Sequence, residues 1–539
     1  MAKFNTKTKI WEAEKIPYPY SMDVYLGEII LKNCDETPDR VIQIHHEENS
    51  FLNCQLLKES SIKIAQNLIG IGIKEDDIIG VISRNSNYVT CFLTGSILMG
   101  GIIHPLDHSL STENIRQLYA HTRPKLIICD PEVISSVQDA LKDINLSPLI
   151  YIVTKNSNKL NGMPSAYELL RETDKNNKFM PLKFKKPADE KLLAILCSSG
   201  IGGLQKGVCI SHASCLSFII NDKHKNKTPA KPLSFSSIYW SRGFLLNIYA
   251  SFYPNDVRIW SRDDFNVDKL VEIIRDRQIT EISLAPSSLA AILESDFFIE
   301  SDHESCRKFI VLGSMFSASL RQKFRKTFPE KTLLTGYGLT EQFISLSKPN
   351  ECYNGITVGS LITPNLQLKI VNEKGESVNP GERGEIRVKP QFKFLGYYND
   401  PEATKNVLDE DGFIKTGDIG YFDDEGGLYI VDRIKEVFKY KNYAVFPAEI
   451  EDVLHQIDGI ELACVIPIFC DKLGTDLATA YVKKAGNATE LTENYIMNYI
   501  SAELPLLKQL HGGVYFVNDL PLTPDGKVHK SAVKQLIMK

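Results

Sequence analysis

Short uninterrupted apolar runs alternate with longer segments of helical period over the first two-thirds of this chain. Ile78 to Ile82, Lys125 to Cys129, Leu192 to Leu196 and Thr280 to Leu284 each read as a buried strand. Ser111-Thr112-Glu113-Asn114-Ile115 sets a hydroxyl cap ahead of a helix, and Val267 to Arg277 carries apolar residues at helical spacing. Strands alternating with helices predict parallel α/β layers. From about Gly355 the period shortens. Leu366 to Val371 and Gly384 to Val388 alternate apolar and polar positions between Glu-Lys-Gly and Pro-Gly-Glu turns, which predicts a small β-rich subdomain. After Arg433 a compact mixed unit is expected. Its helix starts near Pro447 with Ile450, Val453 and Leu454 on one face, and strands follow at Leu462 to Ile468 and Thr479 to Val482. No internal repeat and no low-complexity linker interrupts the order. The fold class expected is α/β, with layered sheets in a large N-terminal domain, a small β-rich subdomain, and a small α+β C-terminal domain.

Val89 to Leu106 contains no Asp, Glu, Lys or Arg. Its length is near the lower limit for a membrane span, but Gly100-Gly101, His104 and Pro105 break it. The reading it supports is a buried helix followed by a strand at Gly101 to His104. With 539 residues the chain exceeds what one core usually supports, so two or more domains are expected. Its 62 basic and 67 acidic side chains leave a net charge of −5, which gives no electrostatic case for nucleic-acid binding. The 11 cysteines are scattered and form no Cys-x-x-Cys, so they read as reduced thiols of an intracellular protein. The N-terminal Met-Ala-Lys-Phe-Asn-Thr-Lys has no apolar core of the signal-peptide kind, and Ile537-Met538-Lys539 is not a Ser-Lys-Leu address.

Directly after the apolar run ending at Leu196 comes Cys197-Ser198-Ser199-Gly200-Ile201-Gly202-Gly203-Leu204-Gln205-Lys206-Gly207. Two hydroxyls, four glycines and a lysine make a loop whose N–H groups can turn inward around phosphate oxygens. In isolation such a loop reads equally well as a surface turn. It is not a Walker loop, because Lys206 follows Gln205, and not a dinucleotide fingerprint, because position 205 is not glycine.

Ser-Ser-Gly-x-x-Gly-x-x-Lys-Gly resembles the phosphate loop of the AMP-forming adenylating enzymes: acyl-CoA synthetases, coumarate-CoA ligases and beetle luciferases. Three further segments resemble that family, in family order. They are Thr335-Gly336-Tyr337-Gly338-Leu339-Thr340-Glu341; Lys415-Thr416-Gly417-Asp418 followed by Tyr429-Ile430-Val431-Asp432-Arg433-Ile434-Lys435-Glu436; and Pro521-Leu522-Thr523-Pro524-Asp525-Gly526-Lys527. The likeness spans roughly residues 25 to 535. It implies an adenylate-forming domain over 1–433, a hinge near Lys435 and a mobile lid over 434–539. It further implies ATP, Mg²⁺ and CoA as reactants, no nucleic acid, and a cytoplasmic or peroxisomal location.

The resemblance also implies roles residue by residue. Ser198, Ser199, Gly200, Gly203, Lys206 and Gly207 would hold the β- and γ-phosphates, and Thr340 would touch the α-phosphate. Glu341 would ligate Mg²⁺, a cation that takes carboxylate and phosphate oxygens. Asp418 would accept from the ribose hydroxyls, with Arg433 nearby. Gly313, Ser314, Met315 and Phe316, with Gly336, Tyr337 and Gly338, would border the adenine and acyl sites. Tyr239 and Trp240 would precede the acyl pocket. Lys527 would bridge carboxylate and α-phosphate in adenylation, while Lys439, Lys441 and Asn442 would face CoA in the second step. The likeness is closest to luciferase-like fatty acyl-CoA synthetases, so a fatty acid is the acid expected.

Several positions depart from the family pattern. Ile201 and Gly202 stand where Ser or Thr is usual, Gln205 where Pro is usual, and Met315-Phe316 where Ala-Pro is frequent. Asn442 replaces a glycine beside the thiol tunnel, and Leu522 and Lys530 replace the usual Lys and Arg of the last motif. Luciferases carry Arg where Phe218 stands, which argues against light emission. Two alternatives to an acid–thiol ligase stay open: an adenylate-forming enzyme with another acceptor, and a degenerate binding protein with slow turnover.

Overall fold

A computed structural model describes residues 2–155, 162–173, 179, 181–198, 205–220, 228–313, 316, 318–342, 357–360, 363–441, 443–470, 473–486, 490–523 and 528–537. Two α/β sheets form the N-terminal part, as the alternating pattern predicts. The first has six strands in the order Lys206–Ser211, Leu192–Ser198, Ile102–Pro105, Ile78–Ile82, Leu126–Cys129, Leu149–Ile152. All neighbours are parallel except the outer pair, where Lys206–Ser211 returns antiparallel beside Leu192–Ser198. The second sheet runs Thr332–Thr335, Lys308–Val311, Glu281–Leu284, Pro232–Ser234, Arg258–Trp260, Val41–His45, Ser50–Asn53. Only its last pair is antiparallel.

The uncharged stretch at 89–106 is a helix, Asn87–Leu98, followed by the strand Ile102–Pro105. Every residue from Tyr88 to Leu98 is buried, which is why the stretch shows no polar face. Ser86 caps the helix by accepting from the Val89 N–H. Gly95 lets the helix Cys54–Gly70 approach closely: a Cβ there would lie 2.7 Å from Ile64 Cγ2 and 2.8 Å from the Ser61 carbonyl oxygen. Among the described residues no helix is long and apolar enough to cross a membrane.

The β-rich subdomain is larger than its own pattern indicates. Its strands Gln367–Val371, Gly384–Lys389, Ile414–Phe422, Leu428–Arg433 and Thr357–Gly359 are joined by an N-terminal hairpin, Lys3–Asn5 with Ile10–Glu12. Trp11 explains the recruitment. Its indole is buried and stacks on Phe422 at 4.6 Å between ring centres. Two strands of three residues carry too little period to be read from sequence.

The C-terminal unit contains the helix Pro447–Leu454, with Pro447 in its first turn, and the strands Ile460–Cys470, Thr475–Lys484 and Val514–Val517. Ile450 and Leu454 are buried in that unit's own core with Phe438, Val465 and Ile496. Among the described residues its helix meets the larger part through these contacts. Asp432 accepts from the Ala448 N–H at 3.1 Å, Asp452 from the Ala318 N–H at 3.0 Å, and Arg383 pairs with Glu449 at 3.3 Å.

Candidate active site

The strand Leu192–Ser198 is buried except at its ends, and Ser198 closes it opposite Lys206 on the returning strand. Lys206 and Gly207 are thus held at the foot of the glycine-rich loop. Gly207 admits close neighbours, since a Cβ there would lie 2.7 Å from Ile195 Cγ2. The segment Gly396-Tyr397-Tyr398 lies along this edge. The Tyr398 N–H donates to the Gly207 carbonyl at 2.7 Å, and the Cys209 N–H donates to the Gly396 carbonyl at 3.0 Å. The backbone docking puts the Tyr397 ring beside the Lys206 ammonium, 4.7 Å from ring centre to Nζ. The Tyr397 hydroxyl then donates to Glu341 Oε1 at 2.9 Å. Burial, and next the Glu341 charge, push the Tyr397 phenol well above its ordinary range, so it remains a donor. A lysine at one end of the loop and a carboxylate more than a hundred residues away are joined through one tyrosine.

Thr340 and Glu341 lie in a turn after the strand Thr332–Thr335, preceded by Gly336, Tyr337 and Gly338. Tyr337 reaches the opposite wall, where its hydroxyl donates to Asp418 Oδ2 at 2.6 Å. Arg433 Nε lies 3.1 Å from Asp418 Oδ1, and the two residues are register partners on neighbouring antiparallel strands. Gly417 adopts φ of 72°, a conformation that favours glycine, and Thr416 accepts from the Asp418 N–H at 3.0 Å. The Asp418 side chain is 4% exposed while that of Arg433 is 40% exposed, so this carboxylate is fixed and its cation is half in water. Burial, followed by Asp418, raises the Tyr337 phenol well above its usual range.

Other candidates fall elsewhere. Gly313, at φ of 102°, follows the strand Lys308–Val311, and no atom lies within 4 Å of where its Cβ would stand. The Phe316 ring is buried in the core of the second sheet with Arg321 over it at 5.2 Å. Tyr239 is buried and packs edge-on against Trp240 at 4.6 Å. Lys439 and Lys441 are exposed on the hairpin Phe438–Tyr440 with Tyr443–Val445. Thr475 holds that hairpin by accepting from the Lys441 N–H at 2.9 Å, and the described contacts of the two lysines stay within the C-terminal unit. Ser199, Gly200, Ile201, Gly202, Gly203, Ser314, Met315, Asn442 and Lys527 lie outside the described residues.

One cavity adjoins the site, and a second shares Phe218 with it as a wall. The first includes Glu341, Gln342 and Phe394. The other runs under the second sheet between Leu246, Tyr249 and Arg242 on one side and Leu233, Ile310 and Leu334 on the other. Tyr239, Trp240 and Gly313, the residues that sequence suggested for an acyl pocket, do not line it. Its lining includes Arg242, two residues past Trp240, and Leu312, one before Gly313. Sequence reading also missed Tyr397. Gly396 is its one local signal, with φ of 95° and a Cβ position 2.7 Å from Thr404 Cγ2.

Two α/β sheets that deliver a glycine-rich hairpin, a Thr-Glu turn and a buried aspartate to one place define an adenylate-forming enzyme architecture. The chain belongs to the AMP-binding enzyme family, whose model matches residues 30–398, and the AMP-binding enzyme C-terminal domain matches 449–527. Luciferin 4-monooxygenase of Photuris pensylvanica is 26% identical, covering 92% of this chain and 91% of that protein. Probable 4-coumarate–CoA ligase 3 of Dictyostelium discoideum is 28% identical, covering 94% of each. ATP-bound MatB from Rhodopseudomonas palustris shares the fold at a TM-score of 0.83 with 22% identity, over 96% of this chain and 99% of that one.

Proposed function

We propose that this chain activates a carboxylic acid with ATP to an acyl-adenylate and passes the acyl group to CoA, releasing pyrophosphate and then AMP. A carboxylate is a poor electrophile because oxide would have to leave. In the first step its oxygen bonds to the α-phosphorus and the bond to pyrophosphate breaks. In the second, the CoA sulfur bonds to the acyl carbon, its proton goes to solvent, and AMP leaves. Such chemistry depends on positioning and on charge stabilisation at phosphate. The observation that carries the reading is the Lys206–Tyr397–Glu341 link, which joins a phosphate-loop cation to a carboxylate suited to Mg²⁺.

Ser198, Lys206 and the loop residues Ser199, Gly200, Gly203 and Gly207 bind the outer phosphates, and Thr340 binds the α-phosphate. Glu341 supplies one protein carboxylate to Mg²⁺, which suits an ion that keeps phosphate and water as its other ligands. Bound there, the ion would neutralise charge developing on the phosphates. Asp418, fixed by Tyr337 and Arg433, accepts from ribose. Lys527 serves adenylation, and Lys439, Lys441 and Asn442 serve transfer to CoA. The apolar walls Leu233, Leu246, Ile310, Leu312 and Leu334 support an acid with an aliphatic, fatty-type chain. The name of the Dictyostelium relative supports CoA as acceptor, and the Photuris relative keeps an oxygen acceptor as the second reading.

Acid-dependent pyrophosphate release, measured over a panel of aliphatic and aryl acids with and without CoA, tests this. The expected result is release that requires acid and accelerates with CoA. No acid-dependent release with any member contradicts it.

A further inference from the structure

The turn that follows the helix Leu26–Glu36 is laid against the start of the helix Cys54–Gly70. The Cys54 N–H donates to the Arg40 carbonyl at 3.0 Å, and the Gln55 N–H donates to the Pro38 carbonyl at 2.8 Å. Thr37 ends the first helix, and its Oγ1 lies 3.7 Å from the Cys54 sulfur. Cys34 stands three residues before Thr37, so the two share a face of that helix, and the Cys34 thiol reaches the same sulfur. Both cysteines are buried in one core, and both are free thiols. Thr37, Pro38 and Asp39 are exposed, so the pair lies beneath a surface turn.

Three features make Cys54 the nucleophile of the two. It is the first residue of its helix, where N–H groups and the macrodipole favour a sulfur anion. Arg40 sets a guanidinium beside it, with Nε donating to Thr37 Oγ1 at 3.2 Å. The Cys34 thiol as donor, followed by Thr37 and Arg40, holds the Cys54 thiol below its ordinary range against the effect of burial. The same contact, and next burial, push the Cys34 thiol up, so it keeps its proton. A thiolate beside a protonated thiol pairs an attacking sulfur with a resolving one. The reaction proposed above uses neither residue. Arg40 also donates from Nη1 and Nη2 to the Tyr253 and Ser251 carbonyls, each at 2.9 Å, and Tyr253 lines the cavity under the second sheet. The guanidinium that faces Cys54 therefore braces the cavity wall as well.

We propose that Cys34 and Cys54 are a peroxide-sensitive dithiol that closes to a reversible disulfide between the two helices. The Cys54 thiolate bonds to one oxygen of hydrogen peroxide, the O–O bond breaks, and hydroxide leaves. The product is a sulfenic acid on Cys54. Hydroxide takes the Cys34 proton and becomes water. The Cys34 sulfur then bonds to the Cys54 sulfur, the S–O bond breaks, and the second hydroxide takes a proton from solvent. Two thiols and one peroxide give one disulfide and two waters, with sulfur oxidised and oxygen reduced.

The test exposes the full-length protein to graded hydrogen peroxide, removes the peroxide, and alkylates the remaining thiols under denaturing conditions for peptide mapping by mass. The expected result is a Cys34–Cys54 cross-linked peptide lighter by two hydrogens, formed about tenfold or more faster than oxidation of any other described cysteine and reversed by dithiothreitol. Cys34→Ser is expected to accumulate a dimedone-reactive sulfenic acid on Cys54, and Cys54→Ser to leave Cys34 reduced. Cys34 and Cys54 both still alkylated at a peroxide concentration that oxidises other cysteines would overturn the proposal. So would a cross-link of either to a different cysteine. The wild-type map decides this whether or not either variant folds.

Discussion

Tyr397 shows how much of this site is set by single contacts between distant residues. Its hydroxyl is the described link between Glu341 and the phosphate-loop edge. Tyr397→Phe keeps the ring beside Lys206 and removes the donor. Loss of a hydrogen bond to a charged group is worth about 1.5–3 kcal/mol, or about 10- to 100-fold in rate. The expected outcome is a drop of that size in adenylate formation together with a higher Mg²⁺ requirement, read from pyrophosphate release over a Mg²⁺ titration. An unchanged Mg²⁺ profile would reduce Tyr397 to packing. None of this was legible in sequence, because hydrogen-bond partners 56 residues apart leave no local pattern. Asp418 was legible because Thr-Gly-Asp is a compact motif, and its fixation by Tyr337 was not.

At the scale of elements, Asp432 ties the end of the strand Leu428–Arg433 to the start of the helix Pro447–Leu454. Its carboxylate accepts from the Arg433 N–H at 2.7 Å and from the Ala448 N–H at 3.1 Å. Burial nevertheless dominates and raises its pKa from the ordinary 3.8 to about 6. The folded chain therefore holds a proton here that the unfolded chain releases. The resulting stabilisation is fully present below the ordinary carboxylate pKa and is lost as pH rises through about 6. Its limit is about 3 kcal/mol. Asp432→Asn lacks this term, so the stability of wild type relative to the variant is expected to increase by up to about that amount from pH 7 to pH 4. Denaturant unfolding at several pH values checks it, and a constant difference would contradict it. The strands and helices themselves were read from period to within a few residues. Val267–Arg277 matches its expected bounds, and the strand expected from Thr280 begins at Glu281. The N-terminal hairpin escaped because its reason for forming, the Trp11–Phe422 stack, lies hundreds of residues away.

For the whole molecule, order along the chain carries the family and packing carries the site. Four motifs in family order, with the alternation of apolar runs, sufficed to expect layered α/β sheets with a smaller C-terminal unit. They did not reveal the cavity, whose walls come from helix and strand residues that look like ordinary core. The division of labour proposed for the C-terminal unit makes a separate prediction. Lys527→Ala is expected to abolish adenylate formation while leaving conversion of supplied acyl-AMP to thioester largely intact, since the second step is assigned to Lys439 and Lys441 instead. Equal loss of both half-reactions, measured by thioester formation from synthetic adenylate, would contradict a unit that presents two faces in turn.

The central claim is that the chain makes an acyl-adenylate and hands it to a thiol. The most direct measurement is a single-turnover reaction with enzyme in excess over α-labelled ATP, resolved by chromatography and mass, with CoA added after the first phase. The account predicts an acid-dependent labelled acyl-AMP that stays bound until CoA converts it to free AMP and an equal amount of acyl-CoA. Label that remains in ATP with every acid supplied, or acyl-AMP that CoA does not discharge, would contradict it.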